Sequence, residues 1–145
     1  MTFREVLRPP LWVLAFIYFL FLSLVIAIWA ALDNRSALIS WIIATLAIFV
    51  IALRWKIVVT VADQELRVRK AHINLRYIAS AQALTPTEMR LLRTRDANPA
   101  AFLSLAFWVP TGVKIVLNDE RDPTPYWLVS SKKSEELTRT LYKLL

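Results

Sequence analysis

The chain has 145 residues, about the length of one domain, yet 57% of them are hydrophobic and the mean hydropathy is +0.48, against roughly 45–50% apolar usage in soluble chains. Lys and Arg outnumber Asp and Glu by 18 to 11, for a formal net charge of +7. With no Cys, one His (His72) and one Gly (Gly112), the chain excludes disulfides, thiol nucleophiles, iron–sulfur clusters, common structural zinc sites and His-pair metal sites, together with the phosphate-binding loop, the dinucleotide fingerprint and the G-x-S-x-G elbow.

The apolar excess is localised. Residues 1–53 hold five charged side chains (Arg4, Glu5, Arg8, Asp33, Arg35), and residues 54–145 hold the other 24. Positions 9–32 and 36–53 carry no charge, and each run is near the roughly 20 residues that cross a bilayer as helix. Two transmembrane helices are expected, at about 10–32 and 36–54, with residues 1–53 forming one unit that opens on a short cytoplasmic stub. Trp12 and Trp29 lie 17 residues apart and Trp41 and Trp55 lie 14 apart, or roughly 25 and 21 Å along a helix, so these four tryptophans read as interface anchors. The Asp33–Ser36 loop forces an antiparallel hairpin. Arg4, Arg8, Arg54 and Lys56 flank its open end, which by the positive-inside rule places both termini in the cytoplasm of a multi-pass inner-membrane protein. Ala27, Ala31, Ser40 and Ala44 offer small surfaces for close helix approach or face lipid. A cleaved signal peptide fits poorly, because the first run exceeds the usual ~7–15-residue apolar core and a second run follows at once. Neither span holds an ionisable residue that would mark a transport path.

After Trp55 the period changes to two, the mark of a strand with one buried face. Ile57, Val59 and Val61, then Leu66 and Val68, then Ile73, Leu75 and Tyr77 predict three antiparallel strands with turns at 62–65 and 70–72. Thr85-Pro86-Thr87-Glu88 combines an N-cap, a proline at the first helical position and a capping box, and Leu84 with Met89 makes a staple. A short helix to about Arg95 follows. Phe102–Val109, Val113–Leu117 and Tyr126–Ser130 read as strands, with Pro110-Thr111-Gly112 as a turn. Ser134 is expected to cap an amphipathic C-terminal helix with Glu135 and Glu136 at its positive end and Leu137, Leu141, Leu144 and Leu145 on one face. The expected fold is therefore membrane α+β, a two-helix transmembrane hairpin followed by a mostly antiparallel β domain (54–145) with a C-terminal amphipathic helix.

Several short antiparallel strands closed by one C-terminal helix resemble a bacterial pleckstrin-homology-like (PH-like) domain. More specifically, Arg8-Pro9-Pro10, Leu75-Arg76-Tyr77-Ile78, Trp108-Val109-Pro110 and Asp122-Pro123-Thr124-Pro125-Tyr126-Trp127-Leu128-Val129-Ser130 resemble an actinobacterial family of two-span membrane proteins of unknown function. The likeness covers nearly the whole chain. It implies topology and fold and carries no activity or functional residue.

If Leu66, Val68, Leu75 and Tyr77 all face inward, a turn at Ala71-His72 places Arg67 opposite Arg76 and Arg69 opposite Asn74. Opposed like charges are unfavourable by a few tenths of a kcal/mol unless an anion lies between them, so Arg67, Arg69 and Arg76 are candidates for anionic lipid headgroups. The competing reading is a solvated face whose arginines pair with Asp63 or Glu65. Arg90 and Arg93, with Arg95, form a second basic cluster, and Trp108 and Trp127 are large apolar groups outside the spans; these are candidate partner surfaces. Tyr126 and Trp127 point to opposite faces of one strand, so one of them is expected to meet the membrane or a partner, or to be partly covered by the C-terminal helix. No nucleic-acid motif accompanies the basic charge. Asp119, Glu120 and Asp122 lack the spacing of a calcium loop and read as a polar turn. His72 has no ligand-spaced neighbour, and Ser130-Ser131-Lys132-Lys133 has no base to activate a nucleophile.

The sequence thus leads to a non-catalytic membrane protein with no cofactor and no metal. Its expected partners are the lipid bilayer and a membrane protein or complex that it serves as an accessory or scaffolding subunit. The alternative is an anionic-lipid-binding module.

Overall fold

A computed structural model describes residues 3–145, which divide into two compact units, 8–56 and a second formed by residues up to Leu7 together with 57–145. The first unit is a helical hairpin. Helix α1 (Leu11–Ala31) and helix α2 (Asn34–Arg54) are each 21 residues long, about 31 Å at 1.5 Å per residue, the thickness of a hydrocarbon core. Asp33 starts α2 as its N-cap by accepting a hydrogen bond from the Ser36 amide at 2.9 Å, and the Ser36 side chain, with that amide, holds the Asp33 carboxyl below the usual carboxylate range. Both helices are long and apolar enough to span a membrane, and only 6% of each apolar window is buried. They are not core helices of a globule.

The second unit holds eight strands in two sheets. Strands β1 (Phe3–Leu7), β2 (Ile57–Ala62), β3 (Glu65–Val68) and β4 (Ala71–Asn74) form an antiparallel meander in that order. The stub expected before the first span is therefore a strand of the β unit, except for Met1 and Thr2, which lie outside the described residues. Phe3, Glu5 and Leu7 are buried on its inner face, and Leu7 pairs with Ile57. The two-residue turn at Asp63-Gln64 has φ of 53° and 62°, the left-handed pair that matches the twist of flanking strands in a type I′ hairpin.

The second sheet has the order β5-β7-β8-β6, from β5 (Ile78–Leu84), β6 (Phe102–Ser104), β7 (Gly112–Leu117) and β8 (Tyr126–Ser130). Strand β6 runs parallel to β8 and stops at Ser104, three residues long where the sequence predicts eight. The chain leaves the sheet there because the Ala106 amide donates to the Ser130 hydroxyl at 3.0 Å. Helix α3 (Pro86–Arg93) follows the complete Thr85–Glu88 capping box, and helix α4 (Ser134–Leu144) closes the unit. Lys133, not Ser134, occupies the cap position of α4, and Ser134 is buried as its first helical residue.

The two sheets and α4 share one core. Val59, Val61, Leu66 and Val68 from the first sheet meet Val113, Ile115, Trp127 and Val129 from the second, with Leu137 and Leu141 from α4. The opposite face of the second sheet packs Tyr126 and Leu128 against Leu84 and Met89. All five residues of β8 are consequently buried. Gly112 is required by close approach: a Cβ there would sit 2.5 Å from the Val129 carbonyl oxygen and 2.7 Å from Met89 Cε.

Candidate functional site

The basic face expected from Arg67, Arg69 and Arg76 is not assembled as predicted. The β3–β4 turn falls at Arg69-Lys70, because Arg69 adopts a left-handed φ of 57°. The pairing register therefore shifts by four, placing Arg67 opposite His72 and Glu65 opposite Asn74. Inward residues stay inward, because the shift is even. Arg67 forms a 2.9 Å ion pair with Glu65, the solvated alternative, and Arg69 is exposed at the hairpin tip. Residues 75–77, expected to extend the third strand, form one turn of 3₁₀-helix, started by Asn74 Oδ1 accepting from the Arg76 amide.

Arg76 is instead directed to Tyr77. Its Nη2 donates to the Tyr77 hydroxyl at 2.6 Å, and its guanidinium lies 4.6 Å from the ring centroid. Arg121, from the loop between β7 and β8, donates to the same hydroxyl and lies 5.5 Å from the same ring. The Tyr77 phenol and then Asp119 hold the Arg121 guanidinium above its ordinary value. The acidic stretch around it is a set of local turns, in which Asp119 Oδ1 accepts from the Arg121 amide and Asp122 Oδ1 from the Thr124 amide. The latter bond holds the Asp122 carboxyl below its usual range.

The aromatic partner surface is also corrected. Trp127 is 6% exposed, lies 4.7 Å from Phe102 ring to ring, and belongs to the main core. Tyr126 on the other face is 8% exposed, with Lys114 Nζ 4.7 Å over its ring. Both are buried because the second sheet is covered on both sides. Trp108 is half-buried and packs edge-on to Phe107, whereas Leu103 and Phe107 are exposed. On α3, Arg90 is exposed, but Arg93 is half-buried and its Nη2 reaches the Val109 carbonyl at 3.4 Å. This contact links α3 to the residue that ends the 105–109 segment.

In the hairpin, Trp12, Trp29, Trp41 and Trp55 all present exposed surface. Trp29 donates to Asn34 Oδ1 at 2.7 Å, beside the loop. Trp41 lies seven residues into α2 and donates to the Tyr18 hydroxyl at 3.0 Å, which in turn meets Thr45 Oγ1 at 3.1 Å. The two helices are thus joined by polar groups at mid-length. The hairpin also carries an apolar groove lined by Phe21, Leu24, Val25 and Ile28 of α1 and Ser40, Ile43, Ala44 and Ala47 of α2. Ser40, Ala44 and Ala47 leave it open through their small size, and the Ser40 hydroxyl is spent on the Ala37 carbonyl.

The buried carboxylate of Glu5, unremarked in the sequence, is 7% exposed and accepts from the Ser131 hydroxyl and the Lys132 amide. The signal was one charge at an inward position of a Phe3–Leu7 alternation, too short to stand out.

A family model described as "Protein of unknown function (DUF3093)" matches residues 2–141. The chain belongs to the DUF3093 family. No curated protein and no solved structure matches it significantly. Among the described residues of this DUF3093 chain, no group of three or more His, Asp or Glu side chains is placed to hold a metal ion.

Proposed function

We propose that this DUF3093 chain is a non-catalytic, two-span membrane protein that serves a larger membrane complex as an accessory or scaffolding subunit. The observation that carries this reading is the apolar groove on the hairpin. Helix pairs in lipid associate through small residues that allow close backbone approach, and Ser40, Ala44 and Ala47 supply such a row along one side of α2. Its occupant in this reading is an apolar transmembrane helix of a partner protein. The mostly outward-facing apolar side chains of α1 and α2 support insertion.

The excess of Arg and Lys at the open end of the hairpin supports a cytoplasmic location for both termini. Linkers of three and two residues, 8–10 and 55–56, join the hairpin to the β unit, which in this reading is cytoplasmic. The unit is read as PH-like by analogy with two sheets closed by a C-terminal helix, and fold likeness alone assigns it no ligand.

Three experiments test the reading. Alkaline carbonate washing should leave the chain in the membrane, and a reporter fused after Leu145 should be active only in the cytoplasm. Purification of the tagged full chain in mild detergent should retain a stoichiometric membrane protein. Release by carbonate contradicts insertion, and a lone chain contradicts the subunit role.

A further inference from the structure

We propose that Arg76, Tyr77 and Arg121 form a phosphate-binding site, separate from the hairpin groove and independent of the subunit role. Two guanidinium groups from segments 44 residues apart meet across a single phenolic oxygen. Bringing like charges together is unfavourable unless an anion offsets it. Among the described residues Arg76 makes no ion pair, and Arg121 has only Asp119, at 3.5 Å through Nε.

The arrangement is also preorganised. The two guanidinium groups lie over the Tyr77 ring, 4.6 and 5.5 Å from its centroid, a placement taken more often by Arg than by Lys. The backbone beneath is fixed, with the Asn118 amide donating to the Tyr77 carbonyl and the Arg76 amide to Asn74 Oδ1. The Tyr77 oxygen already accepts two N–H donors, so its own O–H is directed away from them. The site therefore offers N–H donors from two planar forks and one O–H donor, the complement of a tetrahedral oxyanion. Asp119, in the same loop, neutralises one of the two positive charges, which suits a single phosphate group better than a polyanion. Arg76, Arg121 and part of Tyr77 are exposed, so a headgroup phosphate or free phosphate has access.

The test uses the full chain in maltoside micelles, which contain no phosphate. Inorganic phosphate and dioctanoyl phosphatidic acid are titrated separately and followed by phosphorus-31 line broadening. The native chain should broaden at least one probe. The double variant Arg76→Gln plus Arg121→Gln should lose affinity on the order of tenfold or more, Arg121→Lys should lose part of it, and Arg67→Gln should bind as the native chain does. Near-ultraviolet dichroism confirms that each variant is folded. Binding of the lipid alone identifies a headgroup site, and equal binding of both identifies a site for free phosphate. Absence of binding to the native chain, or equal binding by the double variant, overturns the proposal.

Discussion

Glu5 of the first strand accepts a hydrogen bond from the hydroxyl of Ser131, 126 residues later, and ties the chain's first sheet to the junction between β8 and α4. Its second carboxylate oxygen accepts from the Lys132 amide at 2.9 Å, and Ser131 Oγ in turn accepts from the Lys133 amide at 3.1 Å. The Ser131 hydroxyl is buried and the Lys132 amide is partly so, and an unmade bond to the carboxylate leaves a buried donor unsatisfied. Glu5→Ala should therefore cost about 2–4 kcal/mol of β-unit stability, and Glu5→Gln, which keeps one acceptor, about half as much. Urea unfolding of the full chain in mild detergent measures both. Equal stability of Glu5→Ala and the native chain would show that the tie is not formed.

The fate of Trp127 separates a core residue from a contact surface. Truncation to Ala removes a side chain at the centre of the main core and should cost about 3–5 kcal/mol. Arg67→Ala removes only an exposed ion pair with Glu65 and should change stability by less than about 1 kcal/mol. The same unfolding measurement compares them. A neutral Trp127→Ala would return this tryptophan to the surface.

Gly112→Ala should destabilise by about 1–3 kcal/mol, the cost of overpacking a filled site. The added methyl meets both the Val129 carbonyl and the Met89 side chain. Adding Met89→Ala relieves the flexible neighbour and leaves the backbone oxygen in place, so the double variant should not recover beyond Met89→Ala alone. Full recovery would mean that Val129 yields.

Tyr18 links α1 to both Trp41 and Thr45 of α2. Tyr18→Phe keeps the ring and deletes the hydroxyl, and interhelical hydrogen bonds in membranes average about 0.6 kcal/mol, with a maximum near 1.7. The hairpin should lose about 1 kcal/mol on titration with a denaturing detergent. No change would place the two helices in another register.

The parts of the fold visible in the sequence were those written in one repeated local signal. Val59 and Val61, Leu66 and Val68, and Val113 and Ile115 alternate cleanly and are buried, and Thr85–Glu88 spells out a helix start that the structure reproduces. Strand β5 was hidden because a bulge between Ile78 and Ser80 gives it burial every third residue. Strand β1 carries Glu5 inward, where alternation predicts an apolar group. The parity of the β3–β4 pairing was legible and its register was not, because that depended on Arg69 entering a left-handed conformation. Trp127 was misplaced because both faces of β8 are covered from elsewhere in the chain, the Trp127 face by the first sheet and α4 and the Tyr126 face by α3 and the segment after it. The Arg76–Tyr77–Arg121 cluster escaped for the same reason, since proximity across 44 residues leaves no local pattern.

The subunit role rests on the groove beside Ser40, Ala44 and Ala47, and a paired purification tests it most directly. Native and Ala44→Phe chains, both verified as carbonate-resistant, are isolated in mild detergent and weighed by native mass spectrometry. The account predicts a stoichiometric membrane-protein partner on the native chain and its loss when phenylalanine fills the groove. A native chain that emerges alone, or a variant that keeps the partner in full, would contradict it.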